Sequence, residues 1–199
     1  MVRPFLPLCA GLRLLTEVSQ GFYTSGQIES ADICRLAFTA RQIFERINYV
    51  LKSPSLEEGS RMPAKHSLNG GNLSPELSWG DFPAGTKSFA VTCYDPDAPT
   101  GSGWWHWVAL DIPSNVTTLA EGAKLAAPAR ELTTDYGTKG FGGACPPSGH
   151  GMHRYVFTVW ALPVEKLDLP DGATAANAGF MLNAMALATA KITATYVTP

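Results

Sequence analysis

The chain has 199 residues, 45% of them hydrophobic and 16% charged, with 19 glycines and 15 prolines. That length and apolar content can bury one substantial core, while a formal charge of −2 gives no basic field to draw the chain onto nucleic acid or anionic membranes. No apolar run reaches the roughly 18–20 residues of a membrane-spanning helix.

Residues 1–49 differ in texture from residues 50–199. Ile33, Leu36, Ala37, Ala40, Phe44 and Ile47 recur at helical spacing behind Asp32, a suitable N-cap, and predict a short amphipathic helix. This segment is expected to be an extension outside the main domain, either a docked accessory helix or a stretch upstream of a native start at Val50. Residues 50–199 are expected to form the domain itself.

From Val50 the sequence turns to short apolar runs separated by turn residues, among them Ser53-Pro54, Asn69-Gly70-Gly71 and Pro83-Ala84-Gly85. Leu77-Ser78-Trp79 reads as a brief strand. Ser88–Tyr94 is apolar on both faces and predicts a central strand. Trp105–Ile112 predicts another, and regular alternation places His106 on the face of Val108 and Leu110. Ala120–Tyr136 reads as a polar, alanine-rich connection, followed by a glycine-proline loop from Gly137 to Gly151. His153–Leu162 predicts a strand with His153, Tyr155, Phe157 and Val159 on one face, the first two about 6–7 Å apart along it. Ala175–Ala188 predicts a helix and Lys191–Val197 a closing strand.

The spacings of Cys9, Cys34, Cys93 and Cys145 match neither a zinc pattern nor a compact disulfide framework, so reduced thiols and a cytoplasmic protein are expected. Arg3 precedes an apolar stretch, but Arg13 interrupts it and no clean cleavage site lies beyond.

Chemistry concentrates in Asp95–Trp107, between two predicted strands, where sheet proteins commonly hold binding residues on a rigid frame. Pro96 and Pro99 restrict Asp95 and Ala98 to extended conformations, so the Asp95 carboxylate is aimed as the strand ends. Turn formation by Asp95 and Asp97 is the plain alternative. His106 and His153 each sit near the start of an apolar strand beside a Pro/Gly loop.

Three assemblies compete for these residues. A metal site from His106, His150, His153, Asp95 and Cys145 lacks a paired second motif at a familiar ligand spacing. A hydrolase built on Ser148 lacks a nucleophile elbow. An anion site, in which imidazole N–H groups, a tyrosine hydroxyl and loop amides hold oxygens, uses most of the residues. In that scheme Asp95 orients an imidazole and favours its protonated form, and His106 donates to the ligand.

The segments Asp95-Pro-Asp-Ala-Pro99, Trp104-Trp-His-Trp107 and Cys145-Pro-Pro-Ser-Gly-His-Gly-Met-His-Arg-Tyr-Val-Phe157 resemble the signatures of the phosphatidylethanolamine-binding protein family. Gly103-Trp-Trp-His-Trp107 is similar to its bacterial and archaeal Raf-kinase-inhibitor-like subgroup. Ser53-Pro54, Pro63-Ala-Lys65 and Asn72-Leu-Ser-Pro-Glu-Leu-Ser-Trp79 extend the similarity over about residues 50–197.

The resemblance implies a mostly β fold with a few helices, in which a large central sheet packs on a smaller one with helices at the periphery. It implies a pocket for phosphate, a carboxylate or a phosphoethanolamine head group, lined by Asp95, Asp97, Pro99, His106, Pro146, His153 and Tyr155. No catalytic residue, metal or cofactor is implied. The expected function is non-enzymatic binding of such a small anion, with a kinase or protease as a protein the chain could regulate or inhibit and a homodimer as the expected assembly. The alternative is a small hydrolase or phosphoryl-handling enzyme using His106, His153 and Asp95.

Overall fold

The computed structural model describes residues 49–198. The helix expected after Asp32, and Cys9 and Cys34, lie outside the described residues. Among the described residues, eight strands form two antiparallel sheets. The larger has the order β6 (Arg130–Glu131), β4 (Trp104–Pro113), β3 (Ser88–Asp95), β7 (His153–Leu162), β8 (Ala188–Tyr196). The smaller has the order β1 (Val50–Lys52), β2 (Leu77–Gly80), β5 (Thr118–Leu119). One α-helix, α1 (Ala175–Met185), and a 3-10 turn at Ala64–His66 complete the described elements.

Strand β3 is central and buried on both faces, as its doubly apolar sequence predicts. On one face Phe89, Val91, Cys93, Trp107, Ala109, Phe157 and Ile192 pack against Leu51, Leu77, Trp79 and Leu119 of the smaller sheet. On the other, Ala90, Val108, Leu110, Trp160 and Leu162 pack against Leu167, Ala175, Ala178 and Leu182 beneath α1. The fold is therefore mostly β, with a large sheet covered by a small sheet on one side and a helix on the other.

Two expectations along the chain shift. Helix α1 ends at Met185, and residues 188–190 join β8, where Ala188 pairs with Ala161 and Ala190 with Val159. Pairing along β7 overrides the helix propensity of these alanines. Within the Ala120–Tyr136 connection, Arg130 and Glu131 pair with Leu110 and Ala109 to form the edge strand β6.

The third shift concerns His106. Cys93 pairs with Trp107 and Tyr94 with Trp105, so His106 is the additional residue of a β-bulge. Trp105 packs with the cluster under α1, as do Val108 and Leu110, while Trp107 belongs to the core between the sheets. The bulge turns His106 toward that intersheet side, where its ring meets Tyr155 at 5.0 Å between centroids. The expectation from regular alternation, His106 beside Val108 and Leu110, is thus corrected. A second irregularity between Ala109 and Ile112, where Asp111 has φ +59°, accompanies the return to Leu110 on the helix side.

Candidate functional site: a histidine-carboxylate cavity

Asp95 is the last residue of β3 and is 3% exposed. Pro96 keeps it extended, and its carboxylate is used twice. Oδ1 accepts the Asp97 amide at 2.8 Å, closing the turn. Oδ2 accepts from His153 Nδ1 at 2.8 Å, across from β3 to β7. Turn former and histidine-orienting group, alternatives on sequence grounds, are the same side chain. The histidine it orients is His153, not His106.

His106 is held separately. Its Nδ1 donates to the Gly142 carbonyl at 2.8 Å, and its own carbonyl accepts the Gly142 amide at 2.8 Å. This exchange fastens the glycine-proline loop to the bulge. Burial pushes the His106 pKa below the ordinary histidine value, against the opposing pull of the Gly142 and Gly143 carbonyls and of Asp95 and Asp135. At neutral pH the ring is consequently neutral, with its proton on Nδ1 and a lone pair on Nε2. The sequence reading expects His106 to donate to a ligand; with Nδ1 committed to Gly142, the nitrogen left for a ligand is an acceptor while the ring is neutral and a donor once it is protonated.

The loop from Gly137 to Gly151 is anchored from several directions. Gly143 donates its amide to Asn72 Oδ1 at 2.7 Å, and Leu68 donates its amide to the Ala144 carbonyl at 2.9 Å. Tyr136 Oη donates to the Gly143 carbonyl at 3.1 Å, and its ring edge meets Trp104 and His106. Burial raises the Tyr136 phenol above its usual range.

These elements enclose a cavity of about 250 Å³. Asp95, Ala98, Pro99 and Thr100 line it from the first loop, Trp104 and His106 from β4, Tyr136, Cys145 and Pro147 from the opposing loop, and His153 from β7. Of the expected ligand residues, Asp95, Pro99, His106 and His153 are thus brought together around one cavity. Tyr155, 1% exposed, lies behind His106 instead of on the surface of the cavity. Its buried hydroxyl makes no well-formed hydrogen bond, and burial drives its pKa upward, the Cys145 backbone acting weakly in the opposite sense. Pro146 is buried, and its carbonyl accepts from Thr198 Oγ1 at 2.6 Å.

Asp97 is not among the residues that line the cavity. It accepts from the Arg154 amide at 2.9 Å, from Nε at 2.8 Å and from an Nη at 2.7 Å. The Arg154 guanidinium holds its carboxyl at about 2, and Asp97 clamps the first loop to β7. Trp104, Thr100 and Tyr136 also line the cavity, although their sequence positions do not mark them as ligands. Trp104 is adjacent to the histidine of its signature segment, whereas Tyr136 carries no local signal beyond an aromatic preceding the glycine-rich loop.

His150 completes the polar chain, its Nδ1 lying 2.8 Å from His153 Nε2. Among the described residues no three of His, Cys, Asp and Glu converge as a metal-ligand set. A somewhat larger cavity, about 320 Å³, lies between Arg130 and the Lys166–Ala173 loop but contains neither histidine nor thiol. The histidine-carboxylate cavity is the candidate on chemical grounds, not on size.

A family model described as phosphatidylethanolamine-binding protein matches residues 52–197. The chain belongs to the phosphatidylethanolamine-binding protein family. It is 47% identical over 156 residues to UPF0098 protein YbhB of Escherichia coli K12, covering 73% of this chain and 98% of that protein. The crystal structure of E. coli YbcL, described as a new member of the mammalian PEBP family, superposes with a TM-score of 0.73 at 45% identity, over 76% of this chain and 99% of that one. A Mycobacterium tuberculosis protein named putative lipoprotein LppC is 34% identical over 146 residues, covering 73% of this chain and 71% of that protein. These matches account for the two-sheet fold.

Proposed function

We propose that this family member is a non-enzymatic binding protein whose cavity holds the phosphate or carboxylate group of a small anion, a phosphoethanolamine head group among them. The observation that carries the reading is the pairing of an oriented imidazole, His153 on Asp95, with a second imidazole, His106, whose Nε2 is left for a ligand in the same small cavity. Protonated imidazoles in a partly desolvated cavity are strong donors to oxyanions. Through a bound anion the protein acts as a regulator or inhibitor of a kinase or protease. Its place is the cytoplasm, where Cys93 and Cys145 remain free thiols; cell fractionation tests this location.

The enzymatic alternative draws on the Asp95–His153 pair, which has the carboxylate-imidazole arrangement used to orient a general base. The far nitrogen of that imidazole faces His150 instead of a hydroxyl or thiol nucleophile. Support therefore lies with binding. Calorimetry with phosphate and phosphoethanolamine tests the proposal: affinity is expected in the wild type and is lost in a His106→Ala, His153→Ala double variant. Equal affinity in both proteins removes the assigned cavity. Multiple-turnover phosphate-ester hydrolysis abolished by His153→Ala establishes the enzymatic reading in its place.

A further inference from the structure

His150 is exposed, sits outside the cavity lining, and has no part in the anion scheme, yet its ring stands at hydrogen-bond distance from a cavity histidine. The ring centroids of His150 and His153 are 5.0 Å apart at 66°. With Nδ1 of His153 on Asp95 Oδ2 and Nε2 on His150 Nδ1, both nitrogens of His153 are engaged. Asp95 is likewise engaged through both oxygens, the second by the Asp97 amide. Tyr136 Oη is committed to Gly143 and Thr100 Oγ1 to Gly103. Each of these polar groups around the cavity is therefore already engaged, by one another or by backbone, and His153 offers an incoming anion no free donor.

His150 is also placed to move. It lies between Gly149, φ +76°, and Gly151, φ +87°, and a side chain at either glycine would meet nothing within 4 Å. Such glycines allow a backbone change without a steric penalty, while the strand that begins at His153 stays paired to β8. The His150 amide donates to the Pro147 carbonyl at 3.0 Å, a local turn contact that can travel with the loop.

We propose that His150 is a built-in gate of the cavity: its imidazole occupies the His153 nitrogen that a bound anion needs, and the ligand must displace it. This rests on the reading of the cavity as an anion site and adds to it an internal competitor. An oxyanion takes the place of His150 and accepts from His153 Nε2, while Nδ1 stays on Asp95. The gate selects for ligands whose hydrogen bond to His153 is stronger than that of the His150 ring, which favours charged oxyanions over neutral polar molecules.

The test is calorimetric titration of the full chain with inorganic phosphate, comparing wild type, His150→Ala and, as a loop control, the exposed Ser148→Ala. Removing one competing intramolecular hydrogen bond raises phosphate affinity about three- to tenfold in His150→Ala, and Ser148→Ala matches wild type. A merely structural role for His150 cannot yield tighter binding, since loosening the site weakens it. Equal or weaker binding by His150→Ala, with wild type still binding phosphate, overturns the gate and leaves the anion site standing. A matching gain in Ser148→Ala assigns the effect to the loop as a whole and also overturns it. Phosphate binding seen only in His150→Ala supports gate and site together; absence of binding in both proteins removes both.

Discussion

Asp95 Oδ2 and His153 Nδ1 stand 2.8 Å apart although 58 residues separate them in the chain, and both side chains are almost wholly buried. Antiparallel pairing of β3 with β7 brings the end of one strand against the start of the other. A buried carboxylate in that position fixes the orientation of the imidazole. Asp95→Asn keeps the shape and the acceptor for the Asp97 amide but removes the charge. We expect it to lower stability by about 1–3 kcal/mol and phosphate affinity by about tenfold. Urea unfolding and calorimetry read both; an unaltered phosphate affinity would show that the pair has no part in binding.

Anion affinity should rise as pH falls. Burial lowers the His106 pKa, so the neutral ring presents an acceptor at pH 8 and becomes a donor only on acidification. Acetate is a suitable probe because its own charge is nearly constant from about pH 8 to about pH 5.5. Its dissociation constant is expected to decrease across that range in the wild type, and less so in His106→Gln. A flat wild-type profile would contradict the assigned role of His106.

Stability should move in the opposite direction over the same range. His66 is fully buried, with Nδ1 donating to the Leu73 carbonyl at 2.8 Å and Nε2 against Ser55 Oγ at 2.9 Å, and burial lowers its pKa as it does that of His106. The unfolded chain therefore takes up protons near about pH 6.5 that the folded chain refuses until a lower pH. Stability present above about pH 6.5 is lost as pH falls through the interval down to the folded values. Urea midpoints at about pH 7.5 and about pH 5.0, in buffers free of phosphate and carboxylates, are expected to differ in that sense, with a smaller difference in His106→Gln. A midpoint at the acidic pH equal to or above that at the alkaline one would refute this linkage.

At Gly143 the loop lies tight against the backbone of His66, Ser67 and Leu68. A Cβ there would stand 2.5 Å from the Leu68 amide nitrogen and 2.6 Å from the His66 carbonyl oxygen. Both are backbone atoms and cannot give way cheaply, so Gly143→Ala is expected to cost about 2 kcal/mol or more. It should also release Gly142 from His106, lowering phosphate affinity. Chemical denaturation checks the first effect; an alanine variant as stable as wild type would mean that the loop relaxes freely.

The two described cysteines should differ sharply in reactivity. Cys145 is exposed and lines the cavity, whereas Cys93 is buried in β3 with its thiol pKa raised by burial and by Asp95. Iodoacetamide on the folded protein should modify Cys145 and spare Cys93, as peptide mass spectrometry would show, and the adduct should block phosphate binding by filling the cavity. Full phosphate binding by protein alkylated at Cys145 would place the ligand elsewhere.

Much of the site was legible in local chemistry. Asp95 before a proline, histidines at strand starts beside Pro/Gly loops, and the doubly apolar β3 each carry their meaning within a few residues, and the motifs in order carry the family. Partner choice was not legible. Asp97 and Asp95 look alike in sequence, and only Arg154 of β7, reached through the sheet, commits one to a clamp while His153 takes the other.

What the sequence by itself determined was strands β2, β3, β4 and β7, most of β8, and the residue types that converge on one end of the larger sheet, because periodicity and turn chemistry are short-range properties; the short strands β1, β5 and β6 carry too few residues to show a period. What only the tertiary structure decided was which way His106 points and which imidazole meets Asp95. Alternation along Trp104–Pro113 predicts a face for every residue, but the bulge opposite Cys93 and Tyr94 reverses it for His106. A bulge sets two residues of one strand against one of its partner, and that register is defined only by the pairing of β4 with β3, a long-range contact that no local periodicity carries.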